Sequence, residues 1–129
     1  MTTGKHILAI NNEPDMLRLF AKLLEDAGYR VTTRRYAERG VDAIAEIAPD
    51  LIVLDYMWPS EDEGWTLLQM LKASPKTAKI PIVLCTGAKR QVDELAGRLV
   101  EMHIAVVLKP FEIDELLVKV AEGLGGRAN

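Results

Sequence analysis

The sequence predicts a doubly wound α/β domain built on a five-stranded parallel sheet. Two observations carry this prediction. Five short runs rich in Val, Ile and Leu alternate along the chain with segments whose apolar residues recur at helical spacing. Four of the five runs also lack the polar and apolar alternation of a sheet with one solvated face, so we expect helices to cover both sides. The runs are residues 6–10, 29–33, 51–54, 80–85 and 104–108.

The segments between and after these runs predict five helices, because each carries apolar residues three or four positions apart. Pro14 suits the first turn of the first helix, and Gly28 stands where a glycine commonly ends one. Each strand, helix and following strand then forms a right-handed crossover. The apolar stripes are Met16, Phe20, Leu23 and Ala27; Val41, Ile44 and Ile47; Leu67, Leu68 and Leu71; Val92, Leu95, Ala96 and Leu99; and Ile113, Leu116, Leu117 and Val120.

Composition and charge indicate one compact domain. Of the 129 residues, 49% are hydrophobic, which is enough for a core, and we expect a domain over residues 1–125 with a frayed tail at 126–129. The net charge of -3 gives no electrostatic reason to bind nucleic acid or an anionic membrane. No apolar segment reaches the ~20 residues of a membrane span, no signal peptide is recognisable, and the single cysteine cannot form an internal disulfide. These features favour a cytoplasmic location.

Polar residues follow four of the predicted strands. Asn11 and Asn12 follow the first strand, Asp55 the third, Thr86 the fourth and Lys109 the fifth. In a doubly wound sheet, ligands bind outside the carboxyl ends of the strands, so these side chains are expected to converge on one edge. Each of them alone is more simply explained as a helix cap or turn former. Together they predict a site with one acid, one hydroxyl, one ammonium and two amides.

The ordered set of motifs resembles the receiver domain of two-component response regulators. The resemblance covers nearly the whole chain, and it implies a flavodoxin-like (βα)5 fold with strand order 2-1-3-4-5. It implies that Asp55 accepts a phosphoryl group from a histidine kinase or phosphotransfer protein, that Thr86 and Lys109 contact the acyl phosphate, and that the bond between Lys109 and Pro110 is cis. It further implies a regulatory domain rather than an enzyme, which at most assists its own phosphorylation and dephosphorylation. The motifs are "ILAINNEPD", "LIVLDYMWP", "IPIVLCTG" and "VVLKPF".

The metal site is where the sequence departs most from this family. Receivers usually carry an acidic pair after the first strand, whereas this chain carries Asn11 and Asn12. The resemblance implies a Mg²⁺ ion held by Asp55, Asn12 and the backbone carbonyl of Met57. An amide keeps an acceptor oxygen but loses the charge, which near a divalent ion is worth on the order of a few kcal/mol at an effective dielectric of about 20. Mg²⁺ binding is therefore expected to be weak or absent, with Glu13 as a possible substitute carboxylate.

Two further departures concern signalling. The resemblance implies a switch in which the hydroxyl of Thr86 moves toward the acyl phosphate and an aromatic residue on the fifth strand fills the space. Val106 occupies that aromatic position, and its single stiff χ1 and small volume suit such a relay poorly. Partners, including a downstream effector, are expected on the face formed by the fourth helix, fifth strand and fifth helix. The stretch 59–64, "PSEDEG", is interpreted as a lengthened acidic loop beside the site.

Three functions from different classes remain open. Asp55, Thr86 and Lys109 together favour a phosphoacceptor switch. The amide pair and Val106 favour a pseudo-receiver that acts as a phosphorylation-independent interaction module. A small hydrolase of the aspartyl-phosphate type is the weakest candidate, because those enzymes use a second Asp two residues after the nucleophile, where this chain has Met57.

Overall fold

The computed structural model describes the backbone of residues 4–11, 13–35, 40–56, 61–87, 89–109 and 112–125. Within these ranges it describes the side chains of all residues except 55, 56, 61–65, 89–91 and 95. The predicted tail at 126–129 lies outside the described residues. None of the helices in the described ranges is long and apolar enough to cross a membrane.

The five strands form one parallel sheet in the order β2-β1-β3-β4-β5, which confirms the predicted fold class. The second strand begins and ends one residue later than predicted, and the fourth begins at Ile82, after Pro81. The third strand runs two residues further than its apolar run, because Asp55 and Tyr56 still pair with the fourth strand. The strands are β1 (His6–Ile10), β2 (Arg30–Arg34), β3 (Leu51–Tyr56), β4 (Ile82–Thr86) and β5 (Ile104–Leu108).

Five helices connect and follow the strands. They are α1 (Pro14–Asp26), α2 (Val41–Ile47), α3 (Glu61–Ala73), α4 (Lys89–Glu101) and α5 (Ile113–Gly123). The interpretation of residues 59–64 as a loop is wrong for residues 61–64, which form the first turn of α3. Acidic side chains are favourable there because the amino-terminal end of a helix carries a partial positive charge. Gly28 follows α1 with a φ of 101°, the left-handed conformation expected of a glycine that ends a helix.

The core consists of two apolar layers, one on each face of the sheet. On one face the sheet packs against α1 and α5, through residues such as Phe20, Leu24, Leu116 and Val120. On the other face it packs against α2, α3 and α4, through residues that include Ile44, Leu67, Leu68, Leu71 and Leu99. Because four strands contribute fully buried residues to these layers, the sheet is a rigid base that fixes the positions of its strand ends.

The amino-terminal edge of the sheet contains a partly buried histidine. The backbone N–H of His6 donates to Asp50 Oδ2 at 2.8 Å, and His6 Nε2 lies 2.6 Å from Thr32 Oγ1. Burial, and secondarily the charge of Arg30, lower the pKa of His6 below its ordinary value, while Asp50 acts in the opposite direction. His6 is therefore a structural strand-end residue.

Candidate functional site

The strand register brings the predicted residues to one edge of the sheet. Ile10 lies opposite Leu54 in the pairing of β1 with β3, so the next residues, Asn11 and Asp55, lie at the same level. Thr86 is the last residue of β4 and lies opposite Leu108, the last residue of β5. The site is thus assembled from the carboxyl ends of β1, β3, β4 and β5, where such a sheet places its ligand crevice.

Asn11 is a fully buried turn former between β1 and α1, with 0% of its surface exposed. Its Oδ1 accepts the backbone N–H of Glu13 at 2.9 Å, and its own backbone N–H donates to Arg34 O at 3.1 Å. An Asn side chain that accepts from the N–H two residues later forms an Asx turn. The amide therefore has the turn-forming role that was the simpler explanation of each polar strand-end residue, and an Asn two residues before the N-cap of a helix is a recognisable signal for it.

Glu13, the possible substitute carboxylate, is the exposed N-cap residue of α1. Its side chain makes no hydrogen bond that caps the helix. Pro14 follows it in the first turn, as predicted. Glu13 thus lies on the solvent side of the turn, whereas Asn11 lies inside it.

Thr86 and Lys109 are joined through the backbone. Thr86 is 0% exposed, and its carbonyl oxygen accepts the backbone N–H of Lys109 at 2.8 Å. Gly87 also approaches this point, since a Cβ built on it would lie 4.0 Å from Lys109 Cβ. The hydroxyl residue and the lysine are therefore held beside each other at the ends of neighbouring strands.

Other predicted site groups lie outside the described residues. These are the Asp55 carboxylate, Asn12, the Met57 carbonyl and the Lys109–Pro110 bond, so the roles assigned to them stay predictions. For Asp55 the structure describes the backbone, which belongs to β3 and pairs with Cys85 of β4. Cys85 is buried and forms no disulfide.

The donors at the predicted site differ from those that Mg²⁺ prefers. In the part of the chain that the structure describes, no group of three or more His, Cys, Asp or Glu residues could hold a metal. At the predicted site, Asn11 supplies a neutral amide whose oxygen already accepts the Glu13 N–H. A magnesium site ordinarily uses one or two carboxylates with water and phosphate oxygens. By sequence, Asp55 is the one acid at these strand ends, so the residues fit a tightly bound Mg²⁺ poorly.

A groove lies between β5 and α5. Val106, in the predicted switch position, is half-buried and packs against the apolar layer under α2, α3 and α4. The groove beside it has a volume of about 440 Å³ and is lined by residues 106–108 of β5 together with residues of α5. Sequence analysis missed this groove. The available sequence signal was an apolar residue, Val118, outside the predicted apolar stripe of α5. In the structure Val118 is 52% exposed.

Comparison with known proteins identifies the class of protein that this fold and site define. The family model described as the response regulator receiver domain matches residues 7–121, so the chain belongs to that family. This membership confirms the resemblance inferred from the motifs. The protein is a receiver domain of two-component response regulators.

Curated relatives of this chain include bacterial transcriptional regulators. The transcriptional regulatory protein YkoG of Bacillus subtilis is 34% identical over 120 residues, which cover 92% of this chain and 50% of that protein. The DNA-binding dual master transcriptional regulator RpaA of Synechocystis is 33% identical over 114 residues, which cover 88% of this chain and 46% of that protein. This chain therefore spans about half the length of the curated relatives that it matches.

Solved structures agree on the fold. A response regulator structure from Chloroflexus aurantiacus superposes with a TM-score of 0.79 at 25% identity, covering 95% of this chain and 99% of the other. The receiver domain of sensor histidine kinase PA1611 from Pseudomonas aeruginosa superposes with a TM-score of 0.77 at 22% identity, covering 95% and 99%. That structure has a magnesium ion coordinated in its active site cleft.

Proposed function

We propose that this receiver accepts a phosphoryl group on Asp55 from a histidine kinase or phosphotransfer protein. The observation that carries the proposal is the convergence of four strand ends, with Lys109 tied to Thr86 by a 2.8 Å backbone hydrogen bond. Asn11 lies at the level of Asp55 on the neighbouring strand. The exchange is assigned to the cytoplasm, in agreement with the single buried thiol, Cys85.

The proposed chemistry uses three groups. An oxygen of the Asp55 carboxylate bonds to phosphorus as the phosphorus–nitrogen bond of the donor's phosphohistidine breaks, and the imidazole leaves with the bonding electrons and takes up a proton. Negative charge spreads over the equatorial phosphoryl oxygens during this displacement. The Thr86 hydroxyl and the Lys109 ammonium are proposed to donate hydrogen bonds to those oxygens, which stabilises the charge electrostatically.

In this proposal the binding of Mg²⁺ is expected to be weak. If bound, it would be held by Asp55, Asn12 and the backbone carbonyl of Met57, and it would neutralise phosphoryl charge. We expect half-saturation at a Mg²⁺ concentration on the order of tens of millimolar or higher, because amides replace the usual carboxylates.

The second candidate is a pseudo-receiver that binds partners without phosphorylation. A specific observation favours it: Asn11 is fully buried, and its oxygen already serves the turn into α1. An amide used in this way supports the fold and does not require a metal. For this candidate, the fold is retained as an interaction module while the acceptor residue stays unmodified.

A phosphodonor experiment separates the two candidates. The protein is incubated with acetyl phosphate or phosphoramidate over a Mg²⁺ series, and intact mass is measured with Asp55→Asn as the control. Addition of one phosphoryl group to the wild type but not to the variant supports the phosphoacceptor. No addition at any Mg²⁺ concentration supports the pseudo-receiver. Tryptophan fluorescence measures the binding of Mg²⁺. Half-saturation below about 1 mM Mg²⁺ would contradict weak metal binding.

The output face is proposed to consist of α4, β5 and α5. Since Val106 is stiff and small, we expect this face to differ little between the two states, so a partner would bind both with similar affinity. Spectra recorded with a beryllofluoride phosphoryl mimic at high Mg²⁺ test this expectation. Large shifts across residues 92–120 would show a switch that works without an aromatic residue there.

A further inference from the structure

The two edges of the sheet differ in chemistry. The edge strand β2 has the sequence RVTTR, with arginines at both ends, whereas the edge strand β5 has the sequence IAVVL and no polar residue. Natural proteins protect sheet edges with charged residues, because an unprotected apolar edge can pair with another strand. By this criterion β2 is protected and β5 is open to pairing.

The groove exposes the edge of β5. Three consecutive residues, 106–108, line it, and successive side chains of a strand point to opposite faces of the sheet. A groove lined by three in a row therefore runs along the strand edge rather than over one face. Its volume of about 440 Å³ gives a short extended segment access to that edge.

The backbone direction supplies hydrogen-bonding groups to the groove. The N–H of Lys109 donates to Thr86 of β4, and N–H groups along a strand point alternately to its two sides. The N–H of Val107 therefore points toward β4, while those of Val106 and Leu108 point toward the open edge. The carbonyl groups alternate in the same way, so the groove presents both donors and acceptors.

The rim of the groove is acidic near the start of α5. Asp114 and Glu115 line the groove together with Val118 and Lys119. Lys119 Nζ lies 4.0 Å from Glu122 Oε1, one turn further along the helix, which offsets its charge. Glu115 Oε1 accepts the backbone N–H of Glu112 at 3.0 Å. The rim is thus complementary to a cation.

We propose that β5 binds an extended segment of a partner protein as a sixth strand. Main-chain hydrogen bonds to Val106 and Leu108 would hold the segment, an apolar side chain would pack on Val118, and a basic side chain would face Asp114. This inference rests on the proposed function, in which α4, β5 and α5 form the output face. It goes further by naming the binding mode and the chemistry of the partner.

A synthetic peptide provides the test. The probe is acetyl-Lys-Val-Arg-Val-Thr-Val-amide, added to the unphosphorylated protein while amide hydrogen exchange is followed by NMR. We expect the amides of Val106 and Leu108 to gain protection, since they point to the open edge. The same peptide with N-methylated backbone amides keeps its side chains and carbonyl oxygens. It cannot donate to the β5 carbonyl groups, and its N-methyl groups obstruct pairing along the edge, so it should not protect the two amides.

Matched protein variants locate the contact. Val118→Lys places a like charge in the groove beside the basic probe and should weaken binding about tenfold or more. Val100→Lys is the control, because Val100 is 73% exposed on α4 and does not line the groove. Asp114→Lys should also weaken binding, whereas a probe with acidic residues in place of Lys and Arg should bind the wild type more weakly.

Three outcomes would overturn the proposal. They are unchanged protection of Val106 and Leu108, equal binding of the N-methylated probe, and protection that rises with protein concentration in the absence of probe, which would indicate pairing between two copies of this chain. The experiment is repeated on Asp55→Asn. Strand addition uses no phosphoryl group, so the probe should still bind the Asp55→Asn variant. Binding to this variant is therefore a test of strand addition that does not depend on the phosphoacceptor proposal.

Discussion

Replacement of Asn11 tests whether the first strand end is a structural turn or a weakened metal ligand. Asn11→Ala removes the oxygen that accepts the Glu13 N–H at 2.9 Å. Loss of one such hydrogen bond costs about 1 kcal/mol. Because Asn11 is fully buried, we expect the free energy of unfolding to fall by about 1–2 kcal/mol.

Asn11→Asp keeps the shape and the acceptor but adds a charge at a fully buried position. Burial raises the pKa of a carboxyl in the folded state, and a tenfold change in its acid dissociation constant corresponds to about 1.4 kcal/mol. The carboxyl would then release its proton more readily in the unfolded state than in the folded state. The destabilisation is therefore complete above the folded-state pKa and disappears below about pH 4. We expect a loss of about 1–3 kcal/mol at pH 7 in chelator, with recovery in acid or in Mg²⁺.

Urea denaturation of the wild type and both variants, at pH 7 and pH 4 and with chelator or Mg²⁺, measures these differences. Glu13→Gln is the control, since Glu13 is exposed and makes no capping hydrogen bond, and it should change stability by no more than about 0.5 kcal/mol. Equal stability of wild type, Asn11→Ala and Asn11→Asp at pH 7 would refute the buried turn. We also expect Asn12→Asp to strengthen Mg²⁺ binding more than Asn11→Asp does, because the Asn11 oxygen already serves the turn.

Two other predictions follow from packing and titration. Gly123→Ala should lower the free energy of unfolding by about 1 kcal/mol, because its Cβ would lie 2.7 Å from Cδ1 of the buried Leu51. Gly97→Ala should raise it by about 0.5–1 kcal/mol, since nothing lies within 4 Å of its Cβ. Thermal unfolding measures the change in stability of each variant. If both variants lost stability, or both gained it, the packing argument would be contradicted. The lowered pKa of His6 predicts that its contribution to stability is present above about pH 6.5 and is lost as the pH falls toward the folded-state value. In a pH series of urea midpoints, His6→Gln should reduce the loss of stability at low pH. His103→Gln, at an exposed turn, should leave that loss unchanged.

The alternation of strands and helices could be read from the sequence because it is a local property. Apolar residues such as Ile44 and Leu116 repeat with the period of a helix, and the buried runs of β1 and β5 were predicted with the bounds that the structure has. The convergence of Asn11, Thr86 and Lys109 on one edge also followed, since the carboxyl ends of parallel strands share an edge. These inferences need only the order of elements along the chain.

Tertiary structure decided what depends on contacts between distant segments. The extension of β3 through Asp55 follows from its pairing with β4, and residues 61–64 form a helical turn although their acidic composition resembled a loop. The burial of Asn11 depends on the layers that cover the sheet. The groove beside Val106 exists only where β5 and α5 meet. Such features depend on strand register and on how side chains from separate elements fill shared space, and neither is encoded in the periodicity of a single segment.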